Sequence, residues 1–207
     1  MFWIVESFDQ LKRFYKIGYK EAYIEVIPYS YKTHPTETSV SLVYIRPLDS
    51  PKGYMLAIDH SEVMRLNSEY IAELISTYDT LWVWGKKEFL HLYARKNIND
   101  LSLSSPNYEM ETTRAHQFLQ QKYPNKEDIN RIIPIVKHYI NEPINKFYND
   151  TVPLVFNAIE RNGIQVDPQL FEDYFDQNRG DKVYTQYNYR TTTTRPSNRF
   201  GGINYAA

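Results

Sequence analysis

Basic and aromatic side chains that could contact nucleic acid are concentrated near the carboxyl end of the chain. The basic residues there are Arg179, Lys182, Arg190, Arg195 and Arg199, and the interleaved tyrosines are Tyr184, Tyr187 and Tyr189. Guanidinium groups bind phosphate oxygens through paired hydrogen bonds, and tyrosine rings can stack on unpaired bases. By composition alone, this pattern fits a nucleic-acid contact and a solvated tail with incidental charges equally well.

Histidine and cysteine chemistry is not indicated by the sequence. The five histidines are His34, His60, His91, His116 and His138, and no two of them have a His-x-x-x-His spacing. There is neither a Gly-x-Ser-x-Gly turn nor a glycine-rich phosphate loop. The chain has no cysteine, which excludes thiol nucleophiles, thiolate metal sites and disulfides and fits a reducing compartment.

The length and net charge of the chain limit the number of domains it can form and the ways in which it can contact nucleic acid. The 207 residues suffice for one compact domain with a short appendage. The net charge is −1, so any contact with nucleic acid must come from a local basic patch. No apolar run approaches the roughly 18 residues that span a bilayer, and an acid follows the start too soon for a signal peptide. We therefore expect no membrane partner.

Several segments predict the elements that position these side chains. Four main strands are predicted from β-branched and aromatic residues bounded by proline and glycine, at Ala22–Ile27, Ser39–Ile45, Gly53–Ile58 and Leu81–Trp84. Two shorter strands are predicted at Trp3–Val5 and Leu101–Leu103. Strands followed by alternating helices and strands, and then by helices, predict a mixed α/β sheet covered by helices.

The helical predictions follow from apolar periodicity and end signals. They cover residues 7–17, a helix capped by Asn67 or Ser68, 86–95, 111–122, 126–148 (kinked or divided at Pro134 and Pro143), 152–161 and 167–175. The stretch from about residue 176 has no helical period, which predicts an extended, irregular carboxyl-terminal tail.

The segment Pro153–Asp167 combines an amphipathic helix, a glycine stop and an aspartate cap followed by proline. By physics alone it is a helix, a turn and a second helix of no specific role. Its amino-acid sequence resembles the segment that joins the exonuclease domain to the polymerase domain in family A DNA polymerases. There a helix ends in Ile-Glu-x-x-Gly, as Ile159 to Gly163 do here.

The segment Tyr189–Tyr205 resembles the start of the palm in the same family, and within it most closely the phage branch. That family segment runs Thr-x-Thr-Gly-Arg-x-Ser-Ser and continues to Asn-Leu-Gln-Asn-Ile-Pro. Arg195 matches its arginine, Ser197 its first serine and Asn204 its final asparagine, whereas Thr194 replaces the glycine. In the family these residues line the primer–template duplex.

The resemblance implies a domain organisation and a set of partners. Residues 1–150 would form a ribonuclease-H-like 3′–5′ exonuclease-like domain, and residues 151–207 the connecting helices and the start of a polymerase domain. The implied nucleic-acid contacts are Tyr187, Arg190, Thr194, Arg195, Ser197, Asn198, Arg199 and Asn204. A separate polypeptide carrying the palm and fingers would complete a DNA-directed DNA polymerase for phage DNA replication in the host cytoplasm. The complete enzyme would use Mg²⁺, whereas this part would hold no cofactor.

The exonuclease motifs of the family are not matched. Its Asp-x-Glu strand corresponds either to Tyr23 and Glu25 or to Glu25 and Ile27. Phe89 and Pro143 stand where the later motifs have aspartate, and Lys86 and Lys87 would repel metal ions. Hard cations need anionic oxygen ligands, so the resemblance and its departures predict an inactive exonuclease-like scaffold without a metal site.

Two alternatives remain open at the level of sequence. One is an active two-metal 3′–5′ exonuclease built from other acids, for which the candidates are Glu25, Asp79, Glu88, Asp100 and Glu142. The other is a plain interaction module without a nucleic-acid role. No polymerase active-site motif and no thumb-sized segment occurs before Ala207, so polymerisation by this chain alone is not expected.

Overall fold

A computed structural model describes most of the predicted core. The described residues are 2–5, 7–18, 20–28, 37, 39–59, 66–93, 97–102, 126–167, 182–189 and 195–199. The helices predicted over residues 111–122 and 167–175 therefore lie outside the described residues, apart from Asp167. None of the helices in the described part is long and apolar enough to cross a membrane.

The described part of the chain contains ten strands and six helices. The strands are β1 (Phe2–Val5), β2 (Glu21–Pro28), β3 (Val40–Pro47), β4 (Gly53–Ala57), β5 (Thr80–Val83), β6 (Ile98–Asp100), β7 (Ile164–Gln165), β8 (Lys182–Val183), β9 (Gln186–Asn188) and β10 (Ser197–Arg199). The helices are α1 (Phe8–Ile17), α2 (Ser68–Ser76), α3 (Lys86–Leu92), α4 (Lys126–Tyr139), α5 (Pro143–Asp150) and α6 (Val152–Asn162).

Six strands form one mixed sheet in the order β1-β4-β3-β2-β5-β6. The strands β2, β3 and β4 are antiparallel neighbours, whereas β1 runs parallel to β4, and β5 and β6 continue parallel from β2. The four main predicted strands all belong to this sheet, which confirms the predicted ribonuclease-H-like mixed sheet flanked by helices. The tail takes part in two small pairs: its strand β8 pairs with β7, which follows α6, and its strands β9 and β10 pair with each other.

The sheet has two apolar faces because the side chains of a strand alternate between them. One face buries Leu11 of α1, Ile24 of β2 and Leu74 of α2 in a single cluster. The opposite face carries Tyr23 of β2, which packs with Trp82 and with α4. The central strand β2 is therefore covered on both sides, and its register decides which side chains face α4.

The helix ends follow the local signals in the sequence. Ser7 accepts a hydrogen bond from the backbone N–H of Gln10, and Gly18 ends α1 in the left-handed region at φ 67°. The Asn67 side chain accepts from the backbone N–H of Glu69, which caps α2. Pro143 begins a new helix as predicted, whereas Pro134 lies inside α4.

The last strand of the sheet begins earlier than predicted. It covers Ile98–Asp100, and Leu101 and Ser102 form a turn where the sequence predicted a strand. The cause is the Asp100 carboxylate, which accepts from the backbone N–H of Ser102 at 2.9 Å and from its hydroxyl at 2.5 Å. This local hydrogen bonding turns the chain out of the sheet.

We expect Ile24→Ala to lower the free energy of unfolding by about 2–5 kcal/mol, because it leaves a cavity in the centre of the sheet. Ile24 is 0% exposed. The matched control is Ile4→Ala in β1, where the side chain is 45% exposed and the expected loss is about 1 kcal/mol or less. Urea denaturation of both variants measures the difference, and equal losses would contradict the described register.

Candidate functional site

The face of β2 that packs against α4 carries the acid expected from the exonuclease motif. Tyr23 and Glu25 lie two residues apart, so they point to the same face. Tyr23 is buried, and burial followed by the charge of Glu25 raises the pKa of its phenol well above the usual value. Burial also raises the pKa of Glu25, opposed by a hydrogen bond from Tyr23. The site therefore holds a phenol–carboxylate pair in place of two carboxylates.

The carboxylate of Asp100, another candidate acid, accepts hydrogen bonds from neighbouring groups of the protein. Besides its two bonds from Ser102, its carboxylate accepts from the backbone N–H groups of Gly85 and Lys86, each at 3.0 Å. These two amides begin α3, where a negative charge is stabilised by the helix dipole. The backbone N–H of Asp100 donates to the side-chain oxygen of Asn149 at 2.9 Å. Asp100 thus joins β6, α3 and α5, and its oxygens are not directed at a ligand.

The other three candidate acids lie apart. Asp79 is exposed in the turn before β5, and Glu142 is exposed at the start of α5. Glu88 is half exposed and lies 3.7 Å from the amine of Lys87. Across the described residues, no group of three or more histidines or acids could hold a metal ion. The cluster required by the active-exonuclease alternative is therefore not present in the described part of the chain.

Two buried lysines begin α3 and reach the elements that follow the sheet. The amine of Lys86 donates to the carbonyl oxygen of Asn149 at 2.8 Å. Burial lowers the pKa of Lys86, and the charges of Asp150 and Asp100 partly offset that effect. The amine of Lys87 donates to the Glu160 carboxylate and to the carbonyl oxygen of Tyr187. The two amines therefore connect α3 to α5, to α6 and to the tail.

Glu160 is the centre of a buried network on the inward face of α6. The side chains of Lys87 and Glu160 are only 3% and 1% exposed. One carboxylate oxygen also accepts the backbone N–H of Tyr187 at 2.7 Å, and the other contacts Nε2 of His91 at 2.5 Å. The amide nitrogen of Asn157 lies 3.0 Å from both Nδ1 of His91 and the carbonyl oxygen of Lys87. We call these five residues the tail clasp: Lys87, His91, Asn157, Glu160 and Tyr187.

Aromatic packing reinforces the tail clasp. The ring of Phe156 lies 5.7 Å from the ring of Tyr187 and 5.3 Å from that of Tyr189, the second pair being stacked. Tyr187 is 3% exposed and Tyr189 is also buried. In this arrangement the ring of Tyr187 packs against α6 and its peptide group is bound by Lys87 and Glu160. Its contact with nucleic acid stays a prediction.

Gly163 closes the end of α6 against the same tail. Its φ is 71°, in the region that favours glycine, and its N–H donates to the carbonyl oxygen of Ile159 at 2.9 Å. A β-carbon at this position would lie 2.8 Å from the ring of Tyr184. Glu160 and Gly163, two residues of the Ile-Glu-x-x-Gly motif, thus have structural roles where α6 meets the tail.

The remaining predicted contacts fall into two groups. Arg195 and Ser197 are exposed, and Asn198 is half-buried on β10, where its backbone pairs with Tyr187. The backbone of Arg199 also belongs to β10. Arg190, Thr194 and Asn204 lie outside the described residues. The structure therefore places Arg195, Ser197 and Asn198 beside the strand that the tail clasp holds.

Sequence reasoning missed the tail clasp itself. Glu160 follows Pro153 and Phe156 at helical spacing, so it belongs to the buried face of α6, and a buried glutamate requires a charged partner. The helical spacing of Glu160 from Pro153 and Phe156 was the sequence signal that could have indicated a buried charge pair. The partner could not be identified, because Lys87 lies 73 residues earlier in the chain.

Glu160→Gln is expected to lower the free energy of unfolding, or of tail docking, by about 3–5 kcal/mol, because it leaves Lys87 buried without its counter-charge. The matched control is Glu88→Gln, which removes a 50% exposed carboxylate near the same lysine and should cost about 1 kcal/mol or less. Denaturant unfolding followed by circular dichroism compares the two. Equal losses of unfolding free energy in the two variants would contradict the conclusion that Glu160 is the counter-charge of buried Lys87.

Comparison with known proteins yields similarities of fold. No protein-family model and no curated protein sequence matches the chain. Among solved structures, it is similar to the EXO domain of Aedes aegypti Nibbler, at 12% identity and a TM-score of 0.44 over 70% of this chain and 93% of that one. It is similar to Trypanosoma brucei RNase D in complex with RNA U12, at 8% identity and a TM-score of 0.49 over 88% and 76%. It is also similar to Brucella melitensis NrnC with bound Mg²⁺, at 8% identity and 0.43 over 87% and 100%. Function does not follow from similarities at this level.

Proposed function

We propose that the chain is a non-catalytic, exonuclease-like scaffold joined to the start of a phage family A DNA polymerase, with a tail that contacts DNA. The observation that carries the non-catalytic part is the pairing of buried Tyr23 with Glu25 on the central strand. A two-metal hydrolase needs several carboxylates around ions that lie about 4 Å apart. A neutral phenol cannot replace a carboxylate there, and Asp100 already accepts four hydrogen bonds.

The polymerase context rests on the two segments of sequence resemblance and on the way they are joined. Glu160 of the first segment accepts a hydrogen bond from the strand that leads into the second, and Gly163 lies close to the ring of Tyr184 just before that strand. Arg195 and Ser197 follow that strand and are exposed. A basic, hydroxyl-bearing segment held against a rigid domain is suited to contact phosphates of a primer–template. The palm and fingers, with their Mg²⁺, would come from a partner polypeptide in the infected host cell.

An active metal-dependent exonuclease is the second candidate, and Glu25 is the residue that favours it. One oxygen of its carboxylate is buried and has no hydrogen-bond partner. Such an oxygen could ligate a divalent cation. Against this, burial raises the pKa of Glu25 and disfavours the ionised form that a cation needs.

We expect the purified chain to leave labelled single-stranded DNA intact in the presence of Mg²⁺ or Mn²⁺, because no carboxylate group for two metals surrounds Glu25 among the described residues. Gel analysis of the labelled strand over time measures this. The control is Glu25→Gln. Metal-dependent shortening by the wild-type chain that Glu25→Gln abolishes would establish the second candidate and overturn our proposal.

We expect binding to duplex DNA to weaken with salt at a log–log slope of about −2 to −4, since each phosphate contact releases counterions. Arg195→Ala should make the slope shallower by about one unit if its guanidinium meets a phosphate. The matched control is Arg13→Ala, which removes an exposed arginine from α1 and should leave the slope unchanged. Fluorescence titration at three salt concentrations measures all three proteins.

Binding that is absent at low salt would contradict the DNA-contacting role of the tail. If Arg195→Ala and Arg13→Ala change the salt slope equally, the salt dependence comes from the overall charge of the chain and not from the tail. Either result would leave the non-catalytic scaffold as a separate conclusion, because the nuclease assay tests it independently.

A further inference from the structure

Arg46 of β3 is a buried arginine without a counter-charge. It is 2% exposed, and it lies directly opposite Tyr23 on the face of the sheet that packs against α4. No acid in the described part of the chain forms an ion pair with it. An arginine side chain keeps its charge in proteins, so its burial is costly unless an anion and hydrogen bonds replace its hydration.

The unsatisfied donors of Arg46 lie on one edge of its guanidinium group. Nε and Nη2 are both buried, and neither has a hydrogen-bond partner among the described residues. The N–H bonds of these two nitrogens point in parallel from the same side of the planar group. That edge is the fork that binds two oxygens of one carboxylate or phosphate. The two donors therefore form a single bidentate site for an oxyanion.

Tyr44 holds the guanidinium group of Arg46 in place. The two residues lie two positions apart on β3, so their side chains share a face of the sheet. The Tyr44 hydroxyl accepts a hydrogen bond from the guanidinium group. The ring of Tyr44 lies over Gly53 of β4, where any β-carbon would collide with the phenol. Gly53 thus provides the space for Tyr44, and Tyr44 orients Arg46.

The acids around Arg46 do not supply the missing negative charge. Asp49, the acid nearest to Arg46 along the chain, is exposed in the turn after β3. Glu25 shares the face of the sheet but lies opposite Tyr44, and its hydrogen bond comes from Tyr23. Burial lowers the pKa of Arg46, opposed by the charge and the hydrogen bond of Tyr44. The lowered pKa is the electrostatic cost of a cation that lacks its anion.

We propose that Arg46 and Tyr44 form a binding site for a phosphate group at the end of β3. The phosphate accepts both N–H bonds of the Nε–Nη2 edge and supplies the negative charge that the site lacks. Both nitrogens are covered, so the ligand is a compact oxyanion and not a side chain of a folded partner. The site lies close to the surface, because exposed Asp49 and Pro51 follow the strand. It involves no residue of the tail and does not depend on the proposed function.

The test is urea denaturation of the full chain at increasing concentrations of inorganic phosphate, with sodium chloride adjusted to keep the ionic strength constant. A ligand that binds only the folded state stabilises it by mass action, so the wild-type midpoint should rise with phosphate. Phosphate also stabilises proteins in general, because it is excluded from their surface. The specific effect is therefore the difference between the wild type and variants that lack the site.

Three variants separate the specific effect from the general one. Arg46→Met removes the charge and should fold, because an apolar side chain in place of an unpaired buried charge is often neutral or stabilising. Its midpoint should show only the general effect of phosphate. Arg46→Lys lacks the paired donors and should need at least about tenfold more phosphate for the same rise. The matched control is Arg13→Met, which removes an exposed arginine from α1 and should respond as the wild type does.

Equal responses of the wild type and Arg46→Met to phosphate would overturn the site. So would a wild-type midpoint that acetate raises as much as phosphate at the same ionic strength, because the ligand would then not be a phosphate. Should Arg46→Met fail to fold, an unchanged phosphate requirement in Arg46→Lys would overturn the site on its own.

A second measurement distinguishes free phosphate from the terminal phosphate of a nucleic-acid strand. Fluorescence titration compares one labelled single-stranded oligonucleotide with and without a 5′-terminal phosphate, on the wild type and on Arg46→Met. Tighter binding of the phosphorylated strand that Arg46→Met abolishes identifies the strand end as the ligand. Equal binding of both strands, together with the specific response to inorganic phosphate, identifies free phosphate. Both results support the site, and the salt slope of Arg195→Ala tests the tail separately.

Discussion

The arrangement of this chain beyond its sheet depends on one buried carboxylate. Glu160 accepts from the amine of Lys87 and the backbone N–H of Tyr187 and contacts Nε2 of His91, so it joins α3, α6 and β9 at a single point. An ion removed from water is tolerated in a protein only where charge and hydrogen bonds replace its hydration. The position of the tail therefore depends on the contacts that the buried Lys87–Glu160 pair makes with the peptide group of Tyr187.

The fold of the sheet does not determine the chemistry of its central strand. The order of the strands and their directions are those of a ribonuclease-H-like sheet, and both of its faces are covered by apolar packing. Fold does not dictate function, which depends on the side chains placed on it. On β2 those side chains are Tyr23 and Glu25, and Asp100 on β6 caps α3 instead of facing outward. These residues support the proposed scaffold role, whereas the fold alone would equally suit a nuclease.

Local patterns in the sequence predicted the main elements well. The four principal strands, the Asn67 cap and the glycine end of α6 follow from alternation and from conformational preferences that act over a few residues. The strand β6 was placed three residues late, because a hydrogen-bonded turn at Asp100 and Ser102 ends it after Asp100. The packing of the Tyr187 ring against α6 could not be predicted, because the local sequence does not show whether a tyrosine ring faces water or a neighbouring helix.

The sequence by itself determined the class of fold, the absence of thiol chemistry and the mismatch of Tyr23 with the carboxylate motif. These depend on residue types and on spacings within one strand or helix. Only the tertiary structure decided that Lys87, which lies 73 residues before Glu160, is its partner, and that the tail joins them 100 residues after Lys87. No periodicity encodes such a pairing. It arises because the sheet and helices bring distant segments together, where a buried charge must find its opposite.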